Sequence, residues 1–257
     1  MELATGKPVT VGGVEKMSKS KKNVVDPGAI IEKFGADAAR WYVLSDSPPD
    51  RDMEWTDAGA TGAWRFKQRL YRYITENVDA IAPIGTAEPG EFSDAAKKLR
   101  KIAHKTVLQV TENIENLHFN NAIARIYEFM NALGEVKFSD AADIKWALRE
   151  SMEMIVKLVG PMMPHLAEEL WQMLGHDTIL VETRWPEADP SLIVEDRVTL
   201  AVQVKGKLRG TIEVAVDETK EKIEEIALAQ KTVQNAIGDA AIRKIIIVPN
   251  RIVNVVI

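Results

Sequence analysis

The sequence predicts a mainly α chain: a helical bundle preceded by a lysine-rich loop segment and followed by a small α+β domain of ββαββ order. Three observations lead there. Between residues 56 and 174, apolar residues recur at three- and four-residue spacing in successive runs, the period of amphipathic helices. Short breaks bearing proline and glycine separate the runs, which suits helices stacked up and down in a bundle. Beyond residue 196 the period falls to two and β-branched residues dominate, as in strands.

Asp26-Pro27 reads as N-cap and first turn of a short helix through Ile30, Ile31 and Phe34, closed by Gly35. A second helix spans about Ala36 to Leu44, and Ser47-Pro48-Pro49 ends it, because consecutive prolines cannot continue a helix. From Thr56 a long helix carries Ala63, Phe66, Leu70, Ile74, Val78 and Ile81 on one side, with Arg65, Arg69 and Arg72 on another. Ser93 caps a helix to about Leu117 whose stripe is Leu99, Ile102, Ala103, Thr106, Val110, Ile114 and Leu117. At 100° per residue Lys97, Lys98, Lys101 and Lys105 share the sector facing away from that stripe. Helices at about Asn120–Val136, Ala141–Val159 and Pro164–Leu174 complete the bundle, with Gly160-Pro161 and Gly175 as breaks. Residues 183–196, with two prolines and four acidic residues, read as a linker. Val198, Leu200, Val202 and Val204 then alternate up to a glycine turn at Gly206, with a second strand returning through Val214. A helix over Glu221–Ala229 and a hairpin of Ile242–Val248 with Ile252–Ile257 finish the chain. The expected domains are residues 1–52, 53–182 and 197–257, joined by the linker 183–196.

A length of 257 residues allows one or two domains, and 46% hydrophobic with 28% charged residues is ordinary for a globular chain. Without cysteine, disulfides and thiolate metal sites are excluded. No apolar run reaches spanning length and the N-terminus is unlike a signal, so no membrane partner and a cytoplasmic location are expected. A net charge of −5 argues weakly against nucleic acid, but binding depends on where cations cluster.

The sharpest cluster is Lys16-Met17-Ser18-Lys19-Ser20, followed by Lys21 and Lys22 and preceded by Gly12-Gly13. Such a run is commonly a solvated face or a nucleic-acid patch. A glycine-hinged loop of ammonium groups on a helix-anchored base also suits a polyphosphate, since lysine is a point charge on a flexible stem. Lys16-Met17-Ser18-Lys19-Ser20 matches the KMSKS motif of class I aminoacyl-tRNA synthetases letter for letter. The segment from Asn23 to Leu44 resembles the stretch downstream of that motif in the leucine, isoleucine, valine and methionine enzymes. Residues 53–59, 62–66 and 118–124 are similar to bundle segments of the leucyl enzymes, residues 161–171 to a segment found across the leucine, isoleucine and valine enzymes, and residues 202–210 to the bacterial leucyl C-terminal domain, so the resemblance covers essentially the whole chain. One departure is Lys205, where asparagine is expected.

The resemblance implies an anticodon-binding-type bundle and a C-terminal part of a ligase that activates leucine with ATP, with Mg2+ accompanying it, and transfers the product to leucine tRNA. It implies ATP contact by Lys16, Met17, Ser18, Lys19 and Ser20, with Lys16 and Lys19 catalytic and Lys19 the principal transition-state contact. The HIGH motif, the Rossmann core and the editing domain of that family are expected upstream, so these residues alone should be inactive, bind no cofactor stably and act as a monomer. The alternatives are a free-standing RNA-binding module, or the matching part of an isoleucyl or valyl enzyme; the 202–210 segment and the lack of cysteine disfavour the latter.

Other clusters keep two readings each. Arg65, Arg69 and Arg72, with Lys97, Lys101 and Lys105, suit either a solubility surface or RNA phosphates; the resemblance favours RNA. Lys205, Lys207 and Arg209 suit either an aggregation-blocking strand edge or the elbow of a folded tRNA. Trp64, Tyr71, Tyr73, Trp146 and Trp171 are expected to fill core rather than stack on bases. His165, Glu168 and Glu169 lie within about one helical turn, but acidic residues also favour a helix start and no second ligand cluster accompanies them, so no metal site is expected.

Overall fold

The computed structural model describes residues 5–8, 12–13, 15–194, 197–216, 218–238, 240–249 and 251–257. It divides into two compact units, Met1–Ile193 and Val194–Ile257. Residues 1–13, whose sequence reads as strand or loop, fall mostly outside the described residues.

Among its described residues the first unit holds seven α-helices: α1 Pro27–Phe34, α2 Ala36–Asp46, α3 Asp57–Asn77, α4 Asp94–Glu115, α5 Phe119–Glu135, α6 Ala142–Val159 and α7 Pro164–Met173. Their ends follow the cap chemistry. Asp26 accepts from the Gly28 N–H ahead of Pro27, and Gly35 leaves α1 at φ 85° with its N–H on the Ile31 carbonyl. Thr56 and Ser93 accept from Gly59 N–H and Ala96 N–H to start α3 and α4. Apolar stripes from every helix meet in one core that includes Leu70, Ile74, Val107, Ile126, Phe129, Met152 and Ile155. At one end of it Trp41 stacks on Phe66 with ring centroids 4.6 Å apart, and Tyr127 closes on Phe66 at 4.5 Å. Gly59 admits the ring of Tyr42, which a Cβ there would strike. The Tyr42 hydroxyl meanwhile donates to the Glu54 carbonyl and accepts from the Thr56 N–H.

Four features depart from the sequence expectation. The α4 helix stops at Glu115, and Leu117 takes φ 58° with its side chain 58% exposed, outside the core stripe. The same helix instead buries Arg100, whose charge is answered by Glu150 of α6, and His104, whose Nε2 lies 3.2 Å from the same carboxylate. Residues 183–193 lie on the bundle: Trp185 Nε1 donates to Thr111 Oγ1 at 2.8 Å, and the Asp189 N–H donates to His104 Nδ1 at 2.9 Å. Trp64 and Tyr71 are both 38% exposed rather than core, because their helix turns them away from the stripe of Phe66, Leu70 and Ile74.

The second unit has strands β1 Arg197–Val204, β2 Lys207–Ala215, β3 Lys244–Val248 and β4 Ile252–Val256, in sheet order β2-β1-β4-β3. The β1–β4 pair is parallel; β1–β2 and β3–β4 are antiparallel hairpins. Helix α8 Lys220–Ala229 is followed by a short α9 Lys231–Ile237, which the sequence pattern did not reveal because one extended residue, Gln230, separates the two. Leu200, Val202, Val204, Ile212, Val214, Val253 and Val255 bury one sheet face with Ile223, Ala227 and Val233 of the helices. No helix among the described residues is long and apolar enough to cross a membrane.

Candidate functional site

Three cationic places emerge from the fold: the lysine loop before α1, the outer faces of α3 and α4, and the β1–β2 hairpin tip.

The loop is a fastened turn. Ser18 N–H donates to Asn23 Oδ1 at 2.8 Å, Asn23 Nδ2 returns to the Lys16 carbonyl at 3.4 Å, and Lys21 N–H donates to Ser18 Oγ at 3.2 Å. Ser18 and Ser20 hydroxyls lie 3.2 Å apart, and Lys22 N–H donates to the Lys19 carbonyl with Lys22 at φ 53°. Met17, 43% exposed, lines one apolar hollow together with Ile30, Ile31, Val43 and Trp55 of the neighbouring elements. Lys21 is held at 2.9 Å from Glu15. Lys16 and Lys19 are exposed and, among the described residues, form no ion pair. The two lysines that the motif singles out, with Lys22 beside them, therefore keep their charge available to a ligand. Asn23 and Glu15 were not read as site residues; the residues they hold lie five and six positions away, beyond any local turn signature.

On α3, Arg65, Arg69 and Arg72 line one cleft of 430 Å³ between α3 and α5. Arg69 is set by bonds to Asn131 Oδ1 at 2.7 Å and to the Met130 carbonyl at 3.3 Å. Tyr73 lines the same cleft; its hydroxyl donates to the Leu133 carbonyl at 2.8 Å, and burial pushes the phenol up to about 12. On α4, Lys97 and Lys98 are exposed, whereas Lys101 is half-buried and both Lys101 and Lys105 already engage neighbours. The basic edge of α4 is thus less open than its sequence spacing suggested.

In the second unit, Lys205 and Gly206 form the two-residue turn at φ 51° and 74°. Both central residues in the left-handed region mark a type I′ turn, for which Asn-Gly is the favoured pair. Arg209 is the extra residue of a bulge: Val202 pairs with Gly210 and Gln203 with Leu208. The bulge turns Leu208 onto the open sheet face, 61% exposed, and Lys205, Lys207 and Arg209 remain exposed around it.

Two of the three residues of the α7 cluster, His165 and Glu168, are engaged within the fold. His165 Nδ1 lies 2.9 Å from Asp37 Oδ1, and Glu168 accepts from the N–H groups of Leu180 and Val181 at 2.8 and 3.0 Å.

Residues 96–227 match the anticodon-binding domain of tRNA ligases, and residues 9–56 match the class I tRNA synthetases for isoleucine, leucine, methionine and valine. Leucine–tRNA ligases of Parvibaculum lavamentivorans and Paramagnetospirillum magneticum are 52% and 54% identical over 99% and 98% of the chain. The chain spans only 29% of the length of each. Among solved structures, the LeuRS–tRNA–LeuAMS ternary complex of Agrobacterium radiobacter K84 superposes with a TM-score of 0.80 at 31% identity, over 94% of this chain and 31% of that one. The anticodon-binding match alone takes in just over half of the residues, and the chain belongs to the class I tRNA ligase family, carrying its anticodon-binding domain.

Proposed function

We propose that this chain is the ATP-closing and tRNA-holding portion of a leucine–tRNA ligase. The lysine loop serves activation, in which the leucine carboxylate attacks the α-phosphate of ATP and pyrophosphate leaves. Negative charge redistributes over the phosphates in that step, and ammonium groups positioned beforehand stabilise it without reorganising at the moment of reaction. Lys19 is the principal contact and Lys16 its companion; Met17 lies beside the ATP, while Ser18 and Ser20 hold the turn or donate to phosphate. Mg2+ accompanying ATP finds no donor set in the described part of the loop, because Glu15, its one carboxylate, is tied to Lys21. Its ligands belong to residues elsewhere in the ligase.

The tRNA is held in two places. Arg65, Arg69, Arg72, Lys97, Lys101 and Lys105 meet backbone phosphates along the bundle, and Lys205, Lys207 and Arg209 meet the folded corner of the tRNA. The proposed division of labour is the loop and stem-contact segment over 1–52, the bundle over 53–182 and the elbow-binding unit over 197–257, in a soluble cytoplasmic enzyme.

One observation carries the reading: Ser18 and Asn23 fasten the turn so that Lys16 and Lys19 face outward uncompensated. Its test is the Lys19→Ala variant of the full-length ligase in ATP–pyrophosphate exchange. Removing one charge-stabilising donor costs about 3–4 kcal/mol of barrier, so the rate should fall by about two to three orders of magnitude. A tenfold fall or less removes Lys19 from the mechanism. The tRNA half is tested by filter binding of this chain to leucine tRNA across a salt series, where a steep loss of affinity with salt is expected. Absence of salt-sensitive binding overturns it.

A further inference from the structure

Asn23 stands outside the lysine motif, yet its side chain grips the motif's backbone twice. Its Oδ1 accepts the Ser18 N–H at 2.8 Å, and its Nδ2 donates to the Lys16 carbonyl at 3.4 Å. The two bonds flank Met17. A planar amide carries one acceptor and donors side by side, and the chain presents to it a carbonyl and, two residues on, an N–H. This match fixes the amide's orientation, since turning it over would set donor against donor and acceptor against acceptor. Between Lys16 and Lys19 run three peptide units; Asn23 holds the first by its carbonyl and the second by its N–H. Residues 16–18 belong to no helix, strand or turn, so no regular structure sets the spacing of the two lysines in its place.

We infer that Asn23 is a positioning residue for adenylate formation, keeping Lys16 and Lys19 at a spacing from which both ammonium groups meet one triphosphate. The inference rests on the activation reading of the loop above. Asn23 acts through the backbone that carries the lysines and touches no phosphate itself. Charge-stabilising donors contribute most when they stand in place before the reaction. Lysine stems are flexible, which leaves the backbone beneath them as the part that can be set in advance. The residue type follows from the same chemistry. Aspartate would still accept the Ser18 N–H, but it would oppose the Lys16 carbonyl with a second acceptor. It would also put an anion beside the ammonium groups whose charge the triphosphate needs. A neutral amide fastens the backbone and leaves both charges uncompensated.

The test is ATP–pyrophosphate exchange by the full-length ligase carrying Asn23→Ala, Lys19→Ala or both. Asn23→Ala should lower kcat about tenfold, the scale of two exposed hydrogen bonds, while KM for ATP moves by about twofold or less. In the Lys19→Ala background the same change should cost about twofold or less, because a single ammonium group has no spacing to keep. Transfer of leucine from preformed adenylate to tRNA follows pyrophosphate release and should be unaltered in Asn23→Ala. Asn23→Asp should not restore the exchange rate. An equal loss in both backgrounds, or a matching loss in the transfer step, would make Asn23 a general stabiliser of the fold and refute the positioning role. The role is also refuted if Asn23→Ala stays within about twofold while Lys19→Ala loses about a hundredfold or more, and the activation reading then stands. An undiminished rate in Asn23→Asp refutes the paired grip. If Lys19→Ala falls by about tenfold or less, the activation reading fails and takes the positioning role with it.

Discussion

The Asp37 carboxylate of α2 accepts the Leu166 N–H of α7 at 2.7 Å, across 129 residues of sequence. The first turn of α7 begins at Pro164 without a side-chain cap of its own, so an orphan donor there is met from another helix. Asp37 is buried, and its other oxygen meets His165 Nδ1 at 2.9 Å. Asp37→Ala strips that helix end of its acceptor inside the core. Hydrogen bonds to charged groups contribute about 1.5–3 kcal/mol, and a loss of that size is expected in urea unfolding of the chain. A change under about 0.5 kcal/mol would mean that water replaces the carboxylate.

A buried ion network joins α4 to α6. Glu150 accepts from Arg100 Nε at 2.9 Å and lies 3.2 Å from His104 Nε2, while Glu88 holds Arg100 Nη1 at 2.8 Å. The Asp189 N–H donates to His104 Nδ1, so Nε2 is the ring nitrogen that presents a proton to Glu150. Burial pushes the Glu150 carboxyl up, but hydrogen bonds from His104 and Arg100 and the Arg100 charge outweigh it, leaving the carboxyl below its usual range. The unfolded chain therefore takes up this proton first as pH falls. The contribution is complete above the unfolded value near about pH 4.3 and is lost on descent through the lower folded one. Glu150→Gln should cost about 3 kcal/mol at neutral pH, since it strands a buried guanidinium, and should flatten the acid limb of stability against pH. An acid limb of unchanged slope would show that Glu150 titrates alike in both states.

Tyr73 works on the opposite limb. Its phenol, pushed up to about 12 by burial, keeps its proton where the unfolded chain, near about 10, has released it. Stability should hence decline as pH rises above about 10. Tyr73→Phe should lose about 1 kcal/mol at neutral pH with the bond to Leu133, and should shallow that alkaline decline. Burial raises Tyr127 as well, which leaves a residual slope. Alkaline profiles that coincide for variant and parent would exclude Tyr73 as a source of the decline.

The helices were legible because their information is local: a stripe of Ala63, Phe66, Leu70 and Ile74 needs only its own spacing to announce a buried face. Leu117 misled because it continues the stripe of α4 numerically, while the chain leaves the helix at Asn116 and turns so that the His118 N–H meets the Asn113 carbonyl at 2.7 Å. Spacing cannot see where a helix stops when the residue at positive φ is leucine instead of glycine. Trp64 and Tyr71 escaped for a related reason, since ring size announces burial only when the helix face is known. Within the site, the row of lysines was plain, but which of them stays uncompensated depends on Glu15 reaching Lys21 and on Asn23 reaching Ser18. Likewise Arg69 reads as one of three equivalent arginines until α5 supplies Asn131.

The hairpin turn offers a stabilising substitution. Lys205 at φ 51° sits where a branched or long side chain gains nothing, whereas asparagine is several-fold enriched in that region. Lys205→Asn should raise the stability of the second unit by up to about 0.5 kcal/mol, the usual scale for exposed positions. It also removes one cation, so the salt slope of tRNA binding should drop by about one if Lys205 meets a phosphate. A raised stability with an unchanged slope would leave Lys205 as a turn residue alone.

The turn of the lysine loop depends on Asn23 more than on its serines, because that one amide fixes both the Ser18 N–H at 2.8 Å and the Lys16 carbonyl at 3.4 Å. A single hydrogen bond of this kind contributes about 1 kcal/mol, equivalent to roughly fivefold in an opening equilibrium. Asn23→Ala should therefore speed amide hydrogen exchange of Ser18 by about fivefold. The Lys21 N–H, held by Ser18 Oγ at 3.2 Å, should accelerate with it because its acceptor moves with the same turn. Ser20→Ala removes only the hydroxyl contact to Ser18 and should leave both exchange rates nearly unchanged. Equal acceleration in the two variants would place the hold on the turn in the serine hydroxyls and not in the asparagine amide.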